Sequence, residues 1–249
     1  MRSLPILYRD QYLVAVNKPA GLLVHKSYID RRETAYAMQV LRDQLGQWVY
    51  PLHRLDKATS GVLVFALDRE TARDMTASFT NGTVAKSYLA VVRGYTEERG
   101  RVDRPLQEPR DRMNDPRAAA DKPAQDALTE YRRLATIELH HAVGRHATAR
   151  FSLLDVTPLT GRMHQIRRHL KHIFHPVIGD TTYGDGRQNT FFRTRFRSNR
   201  LLLHAREIAF SHPAAGTEVR IRAPLDDGLR ALLRELDWED AVPDREHGP

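Results

Sequence analysis

The distribution of apolar and polar positions along this 249-residue chain predicts short strands that alternate irregularly with amphipathic helices. Short apolar runs indicate strands, and apolar residues spaced three and four apart indicate helices. The predicted strands cover residues 4–16 as a hairpin, 61–67, 83–93, 127–134, 150–156, 200–204, 207–210 and 218–221. The predicted helices cover 34–45, a segment between Asp68 and Gly82, 162–173, and a last segment that begins after Asp226 or Asp227.

This order favours an α+β fold around a mixed, largely antiparallel sheet, because several strands are joined by short turns. The polar segment 99–125 shows no period and is predicted to be a long loop. No Pro/Gly/Ser-rich linker divides the chain, so we expect a single catalytic domain over residues 1–249. Its core is expected at about 4–236, followed by an acidic C-terminal tail at about 237–249.

Composition narrows the function. The chain has 39 basic and 31 acidic residues, a net charge of +8, which favours an acidic partner such as nucleic acid, although many soluble enzymes are equally basic. The ten Arg/Lys of residues 162–206 outnumber two Asp there. With no cysteine, disulfide scaffolds, Cys zinc sites and Cys nucleophiles are excluded. No apolar run approaches the about 20 residues of a membrane-spanning helix, so we expect no membrane association.

A cluster of chemically active side chains precedes the predicted strand 61–67. The cluster combines an imidazole, two cations, one carboxylate and two hydroxyls: His53, Arg54, Lys57, Asp56, Thr59 and Ser60. A carboxylate between cations is favoured in its ionised form and can act as a nucleophile or an electrostatic partner at neutral pH. The same composition is also typical of a solvated loop whose charges pair with each other.

A second cluster lies on the predicted helix 162–173. Its polar face carries His164, Arg167, Arg168 and Lys171, and the opposite face carries Met163, Ile166, Leu170 and Ile173. Such a face can bind a phosphate or carboxylate, and it is equally typical of a solvated amphipathic helix. His169, His172 and His175 lack the spacing and the nearby Glu of a catalytic metal site, so no metal is predicted. The chain also lacks P-loop, GxGxxG and GxSxG sequences, which leaves nucleotide-binding and serine-hydrolase functions without support.

Five stretches, in this order, resemble the motifs of the RluA-type pseudouridine synthases. They are 16–22 (VNKPAGL), 53–61 (HRLDKATSG), 86–94 (KSYLAVVRG), 160–167 (TGRMHQIR), and 175–180 (HPVIGD) with 201–205 (LLLHA). The resemblance extends over about residues 4–224. It implies the family's bent sheet and an RNA uridine-to-pseudouridine isomerase that flips its target base into a pocket.

The resemblance also implies roles for individual residues. Asp56 would be the catalytic carboxylate, either attacking C1′ or assisting loss of the base with proton removal at C2′. Arg167 would pair with Asp56 and keep it ionised, and Tyr88 would stack on the flipped uracil and is a candidate base. The implied substrate-binding residues are His53, Arg54, Thr59, Arg162, His164, Gln165 and Leu203, with Arg54 filling the gap left by the flipped nucleotide. The implied phosphate-binding residues are Arg168, Lys171, Arg187, Arg193 and Arg195. No cofactor, metal or nucleotide is implied.

Residues 24–31 and 178–199 resemble the members of this family that act on uridine 65 of tRNA. Transfer RNA is therefore the expected partner and ribosomal RNA the alternative. Two further alternatives are a non-catalytic RNA-binding protein and a metal-dependent RNA-cleaving enzyme. We expect a cytoplasmic monomer without an N-terminal S4 RNA-binding domain. Segments 99–125 and 139–148 match the family only loosely and are expected to influence substrate choice.

Overall fold

The computed structural model describes residues 3–25, 35–107, 123–144 and 146–243. Within these ranges the strands are β1 Ile6–Arg9, β2 Leu13–Lys18, β3 Tyr50–Pro51, β4 Ser60–Ala66, β5 Ala85–Arg93, β6 Arg99–Asp103, β7 Leu128–Leu139, β8 Ala149–Pro158, β9 Leu203–Ser211 and β10 Glu218–Arg222. The helices are α1 Ala37–Leu45, α2 Arg69–Thr80, α3 Gln165–His172, α4 Gly186–Phe196 and α5 Asp227–Glu235. Among these residues, no helix is long and apolar enough to cross a membrane.

The described strands form one sheet in the order β1-β2-β4-β9-β5-β8-β7-β6, with β10 paired to β9 and β3 paired to β4. Only the pairing of β4 with β9 is parallel, and every other pairing is antiparallel. The α+β fold with a mixed, largely antiparallel sheet is thus confirmed.

The parallel contact between β4 and β9 lies at the centre of the sheet and requires a glycine. Gly61 pairs with Ala205, and its φ of +116° lies in the region that favours glycine. A Cβ on Gly61 would lie 2.1 Å from the Ala205 carbonyl oxygen. The glycine that ends the 53–61 cluster therefore lets β9 approach, which brings Leu203 at the start of β9 towards the turn that carries Asp56.

Capping side chains define two of the predicted helices. The Asp68 carboxylate accepts a hydrogen bond from the Thr71 N–H at the start of α2, and the Asp226 carboxylate accepts one from the Leu229 N–H at the start of α5. Helix α1 ends, as predicted, at Gly46 in the left-handed conformation. The predicted first residue of that helix, 34, lies outside the described residues.

Helix α3 begins at Gln165, three residues later than predicted. His164 adopts a left-handed backbone with φ 53°, which the helical pattern of apolar residues does not reveal. The Gln165 side chain stabilises the turn before the helix, because its Oε1 accepts hydrogen bonds from the Arg162 N–H and from the Thr160 hydroxyl. Of the two interpretations of the polar face of this helix, the solvated one does not hold for Arg167, which is only 7% exposed.

The predicted loop at 99–125 contains a strand. Strand β6 pairs with β7 at the edge of the sheet, from Arg99 opposite Arg132 to Asp103 opposite Leu128. Only Val102 of its five residues is buried, so the apolar signal is too weak to reveal a strand. Residues 108–122 of this segment lie outside the described residues, as do 26–31 of the segment that resembled the uridine-65 enzymes.

Two further elements differ from the prediction. Residues 203–211 form one continuous strand, in which Ala205 and Arg206, which lie between the two stretches predicted separately, are also buried. Helix α4 was not predicted, because its polar composition conceals two buried aromatic residues, Phe191 and Phe192.

The core continues past residue 236, where we expected a solvated acidic tail. Trp238 is 2% exposed and belongs to the same buried cluster as Leu229 and Leu233 of α5. Ala241 and Val242 pack against that cluster. Large apolar side chains therefore hold this segment on the core, and residues 244–249 lie outside the described residues.

Candidate active site

A cleft of about 730 Å³ opens where the Asp56 turn, β5, the start of α3 and the start of β9 meet. Its wall includes every residue predicted to be catalytic or substrate-binding: His53, Arg54, Asp56, Thr59, Tyr88, Arg162, His164, Gln165, Arg167 and Leu203. The two clusters recognised in the sequence, 53–61 and 160–167, therefore face each other across one cavity. They are separated by about a hundred residues of chain, and the sheet brings them together.

Arg167 connects two carboxylates in this cleft. Its Nη1 donates to Asp56 at 2.9 Å, and its Nε and Nη2 donate to Asp180 at 2.7 and 2.9 Å. Burial works against the charge of Arg167, but the hydrogen bonds to Asp180 and Asp56 raise its pKa. Arg167 is therefore a permanent cation whose guanidinium plane is held by Asp180 and presented to Asp56.

Asp180 is the buried support of this arrangement and was not predicted as a site residue. It is 2% exposed, and its Oδ1 also accepts hydrogen bonds from the N–H groups of Thr182 and Tyr183. Burial opposes its ionisation, but the hydrogen bonds, first among them those from Arg167, lower its pKa. The sequence signal was available, because Asp180 ends the 175–180 motif and is its only carboxylate.

A buried lysine supports the Asp56 turn from the opposite side. Lys18 is 0% exposed, and its ammonium donates hydrogen bonds to the carbonyl oxygens of Pro19, Leu22 and Lys57. The Gly21 N–H donates to the same Lys57 carbonyl. Because Lys57 follows Asp56 directly, the 16–22 motif fixes the backbone that carries the candidate catalytic carboxylate.

Burial lowers the pKa of Lys18 to about 7, although the charge of Asp56 opposes this shift. In the unfolded chain a lysine keeps its proton up to about pH 10.4. Between these values the unfolded chain binds more protons, so raising the pH from about 7 to 10 favours the folded state. We expect the free energy of unfolding of the wild type, relative to Lys18→Met, to increase over this window in urea denaturation. A difference that does not change with pH would contradict the assignment.

Tyr88 lies half-buried on β5 at the cleft wall. Burial, with a contribution from the charge of Asp56, raises the pKa of the Tyr88 phenol far above neutrality. The phenol is therefore protonated in the resting site. Leu203, 3% exposed, supplies an apolar part of the same wall.

His53 and Arg54 are neighbours with different surroundings. The His53 Nε2 accepts a hydrogen bond from the Val64 N–H, and the ring stacks on Phe79 at 5.2 Å between centroids. Burial, and next the charge of Lys86, lowers the pKa of His53 to about 3, so the ring is neutral. Arg54 is exposed at the cleft.

His164 contacts the acidic centre of the cleft. Its Nε2 lies 3.8 Å from Asp56 Oδ1, and its Nδ1 lies 3.1 Å from the Tyr183 hydroxyl. The Tyr183 ring in turn packs beneath the Arg167 guanidinium, 5.1 Å from the ring centroid. The pKa of His164 is lowered by burial, against the effect of Asp56. Tyr183 lies in the 178–199 stretch and was not predicted as a site residue.

Two predicted substrate-binding residues are engaged within the protein. The Gln165 amide donates to the Leu128 carbonyl and the Thr129 hydroxyl, while its oxygen holds the preceding turn. The Thr59 N–H closes the Asp56 turn by donating to the Asp56 carbonyl. Both border the cleft. The Gln165 side chain is engaged in these contacts, whereas the Thr59 contact is made by its backbone. Arg162 borders the cleft too, and its Nε donates to the Asp126 carbonyl.

The five predicted phosphate-binding residues lie outside the cleft wall. Lys171 packs over the Tyr183 ring at 5.8 Å, and Arg168 and Arg187 are accessible to solvent. Arg193 contacts the Thr190 hydroxyl. Arg195 forms an exposed ion pair with Glu235 of α5 at 2.7 Å. In the part of the chain that the structure describes, no group of three metal-ligating side chains occurs.

Comparison with known proteins agrees with this site. Residues 12–172 match the family model described as RNA pseudouridylate synthase. The chain is 51% identical over 239 residues to tRNA pseudouridine synthase C of Vibrio cholerae, covering 96% of this chain and 98% of that protein. It is 50% identical over 237 residues to the protein of the same name from Pasteurella multocida, covering 95% and 98%.

Solved structures agree as well. Human RNA Pseudouridylate Synthase Domain Containing 4 superposes with a TM-score of 0.70 at 27% identity, covering 94% of this chain and 93% of that chain. Human RNA Pseudouridylate Synthase Domain Containing 1 gives 0.68 at 26% identity, covering 90% and 84%. The matched family segment contains both halves of the cleft, Asp56 and Arg167. The chain therefore belongs to the RNA pseudouridylate synthase family, in its RluA-type branch, and is an enzyme that isomerises uridine to pseudouridine in RNA.

Proposed function

We propose that this enzyme isomerises uridine 65 of tRNA, with Asp56 as its catalytic carboxylate. The observation that carries the proposal is the Asp56 carboxylate held at 2.9 Å by Arg167 in a cleft of about 730 Å³. The choice of tRNA is supported by relatives of about half-identical sequence over nearly the whole chain, which are named tRNA pseudouridine synthase C.

The reaction exchanges two bonds of one nucleotide. The N1–C1′ bond breaks, the C5–C1′ bond forms, C5 loses a proton and N1 gains one, so no atom of the base is supplied from elsewhere. Both reacting positions are inaccessible in a paired stem, and the uridine must first be flipped out. The cleft volume of about 730 Å³ is large enough to receive such a base. Arg54, exposed at the cleft, can fill the space that the flipped nucleotide leaves in the stem.

Different residues act on the sugar, the base and the phosphates of the RNA. Asp56 acts at the sugar, by attack on C1′ or by removal of the C2′ proton, and Arg167 holds its carboxylate in place through the 2.9 Å hydrogen bond. Tyr88 and Leu203 enclose the uracil. The Tyr88 phenol, protonated in the resting site, can give its proton to N1 of the detached base and then take the proton from C5. Cations outside the cleft, among them Arg168 and Lys171, hold phosphates and position the RNA without reading its sequence.

Pseudouridine mapping tests the proposal directly. Bulk tRNA and, separately, ribosomal RNA would be incubated with wild type or with Asp56→Asn, treated with carbodiimide and read by primer extension. We expect a wild-type-specific stop at uridine 65 of tRNA and none with Asp56→Asn. A stop only on ribosomal RNA would refute the tRNA assignment. Equal stops with both proteins would remove Asp56 from the mechanism.

A further inference from the structure

Phe174, directly after α3, presents its ring to solvent on an unfavourable backbone. It is 78% exposed, more than Trp48 at 66%, the next most exposed large apolar side chain of the described residues. Its φ of 67° lies in the left-handed region, where glycine and asparagine are favoured and a bulky residue is rare. The buried clusters do not include it. Packing among the residues that the structure describes therefore explains neither the residue type nor its conformation.

The backbone that carries this ring is firmly held. The Phe174 N–H donates to the Lys171 carbonyl at 3.0 Å, and the Phe174 carbonyl accepts from Nη2 of Arg93 at 3.1 Å. Arg93 is itself fixed by Asp185, 2.7 Å from its Nη1. The neighbouring His175 ring donates through Nδ1 to the Arg93 carbonyl at 2.8 Å. The ring is thus displayed at a defined place, which is a property of a binding platform.

The surroundings of Phe174 are cationic. Lys171 and Arg168 lie on the same helix, and Arg104 donates to the His172 ring beside them. Among the described residues, no carboxylate pairs with Arg104, Arg168 or Lys171. An exposed aromatic ring among cations without carboxylate partners is suited to binding a nucleic acid. Proteins hold unpaired nucleotides by stacking the bases on aromatic rings and by contacting the backbone phosphates with cations.

Phe174 lies beyond the far end of helix α3 from the cleft. The helix begins at the cleft with Gln165 and ends at His172, eight residues or roughly 12 Å at 1.5 Å per residue, and Phe174 follows two residues later. The ring therefore contacts a different nucleotide from the one held in the cleft. We propose that Phe174 stacks on an exposed base of the RNA substrate outside the target uridine. The family assignment supplies RNA as the partner, and the choice of tRNA rests on the function proposed above.

The test separates stacking from folding. Wild type, Phe174→Asn, Phe174→Trp and, as a matched exposed aromatic on another element, Trp48→Ala would be compared for tRNA affinity by filter binding, for kcat and KM, and for melting temperature. We expect Phe174→Asn to weaken binding and raise KM roughly tenfold, the range for losing one stacked base, with kcat within about twofold. Its melting temperature should equal or exceed that of wild type, because asparagine suits the left-handed backbone.

The other variants sharpen the result. Phe174→Trp should bind within about threefold of wild type because it retains a stacking face. Trp48→Ala should bind like wild type. The dependence of affinity on salt should be the same for Phe174→Asn and wild type, because no phosphate contact is lost.

The inference is wrong if Phe174→Asn binds tRNA as tightly as wild type, or if its melting temperature and its kcat fall together. It is also wrong if Phe174→Asn and Phe174→Trp lose the same amount of tRNA affinity. Wild type that dimerises in ultracentrifugation while Phe174→Asn does not would assign the ring to a second copy of the chain instead. Wild type that binds and modifies ribosomal RNA but not tRNA would refute the proposed function alone. The same variants on ribosomal RNA would still decide the role of Phe174.

Discussion

Asp56→Asn is expected to lower turnover by roughly 10³-fold or more while leaving RNA affinity within a few-fold. The amide can still accept the hydrogen bond from Arg167, so the cleft keeps its shape, but it can neither attack C1′ nor take a proton. Affinity is retained because phosphate contacts dominate the interface. Single-turnover tritium release from C5-labelled RNA and filter binding measure the two quantities.

The matched control is Asp43→Asn. Asp43 is exposed and pairs with Arg42 at 2.7 Å on helix α1, whose residues do not line the cleft. It should retain full turnover, because an exposed pair of this kind contributes little. If Asp56→Asn loses RNA binding as completely as turnover, the carboxylate is structural and its catalytic assignment falls.

Asp180→Ala is expected to have the second-largest effect, and on both stability and activity. It removes two hydrogen bonds from buried Arg167 and leaves a cation with only Asp56 as partner. Breaking a buried pair from one side costs about 3–5 kcal/mol. For a chain of this size, that lowers the melting temperature by roughly 10 °C. Turnover at low temperature should also fall, because the guanidinium is no longer aimed at Asp56.

A double variant separates the two effects. In Asp180→Leu combined with Arg167→Met, the two buried charges are removed together and the remaining carboxylate, Asp56, is 21% exposed to solvent, so stability should recover towards that of wild type. Turnover should stay low, because Asp56 has lost its cation. Thermal melting and single-turnover assays of the single and double variants measure this. A double variant as active as wild type would remove Arg167 from the mechanism.

Much of the fold followed from local signals. Asp68, Asp226 and Gly46 define helix ends through interactions within a few residues, and their roles are legible in the chain. Elements with weak local signals were missed. The edge strand β6 buries one side chain of five, and α4 buries two phenylalanines within a polar run, so neither has a clear period.

In the active site, too, some residues have a local sequence signal and others do not. The 53–61 and 160–167 stretches are recognisable in the sequence, and the resemblance to the RluA-type synthases gives Asp56 and Arg167 their expected roles. Their contact spans 111 positions and depends on the sheet, which no local pattern encodes. Asp180 and Lys18 lie within the 175–180 and 16–22 motifs, but the sequence does not predict a role for either. Their importance comes from burial, and burial is decided by the neighbours that the fold assembles.

By itself, the sequence determined the family, the α+β class, the absence of cysteine chemistry and the two clusters that form the cleft, because these are properties of residue types and short spacings. Only the tertiary structure decided that Arg167 is buried between Asp56 and Asp180, that His164 breaks the helix, and that Phe174 is displayed on a left-handed backbone. Those features depend on desolvation and on contacts between distant segments, and both arise only once β4 has paired with β9 in the sheet.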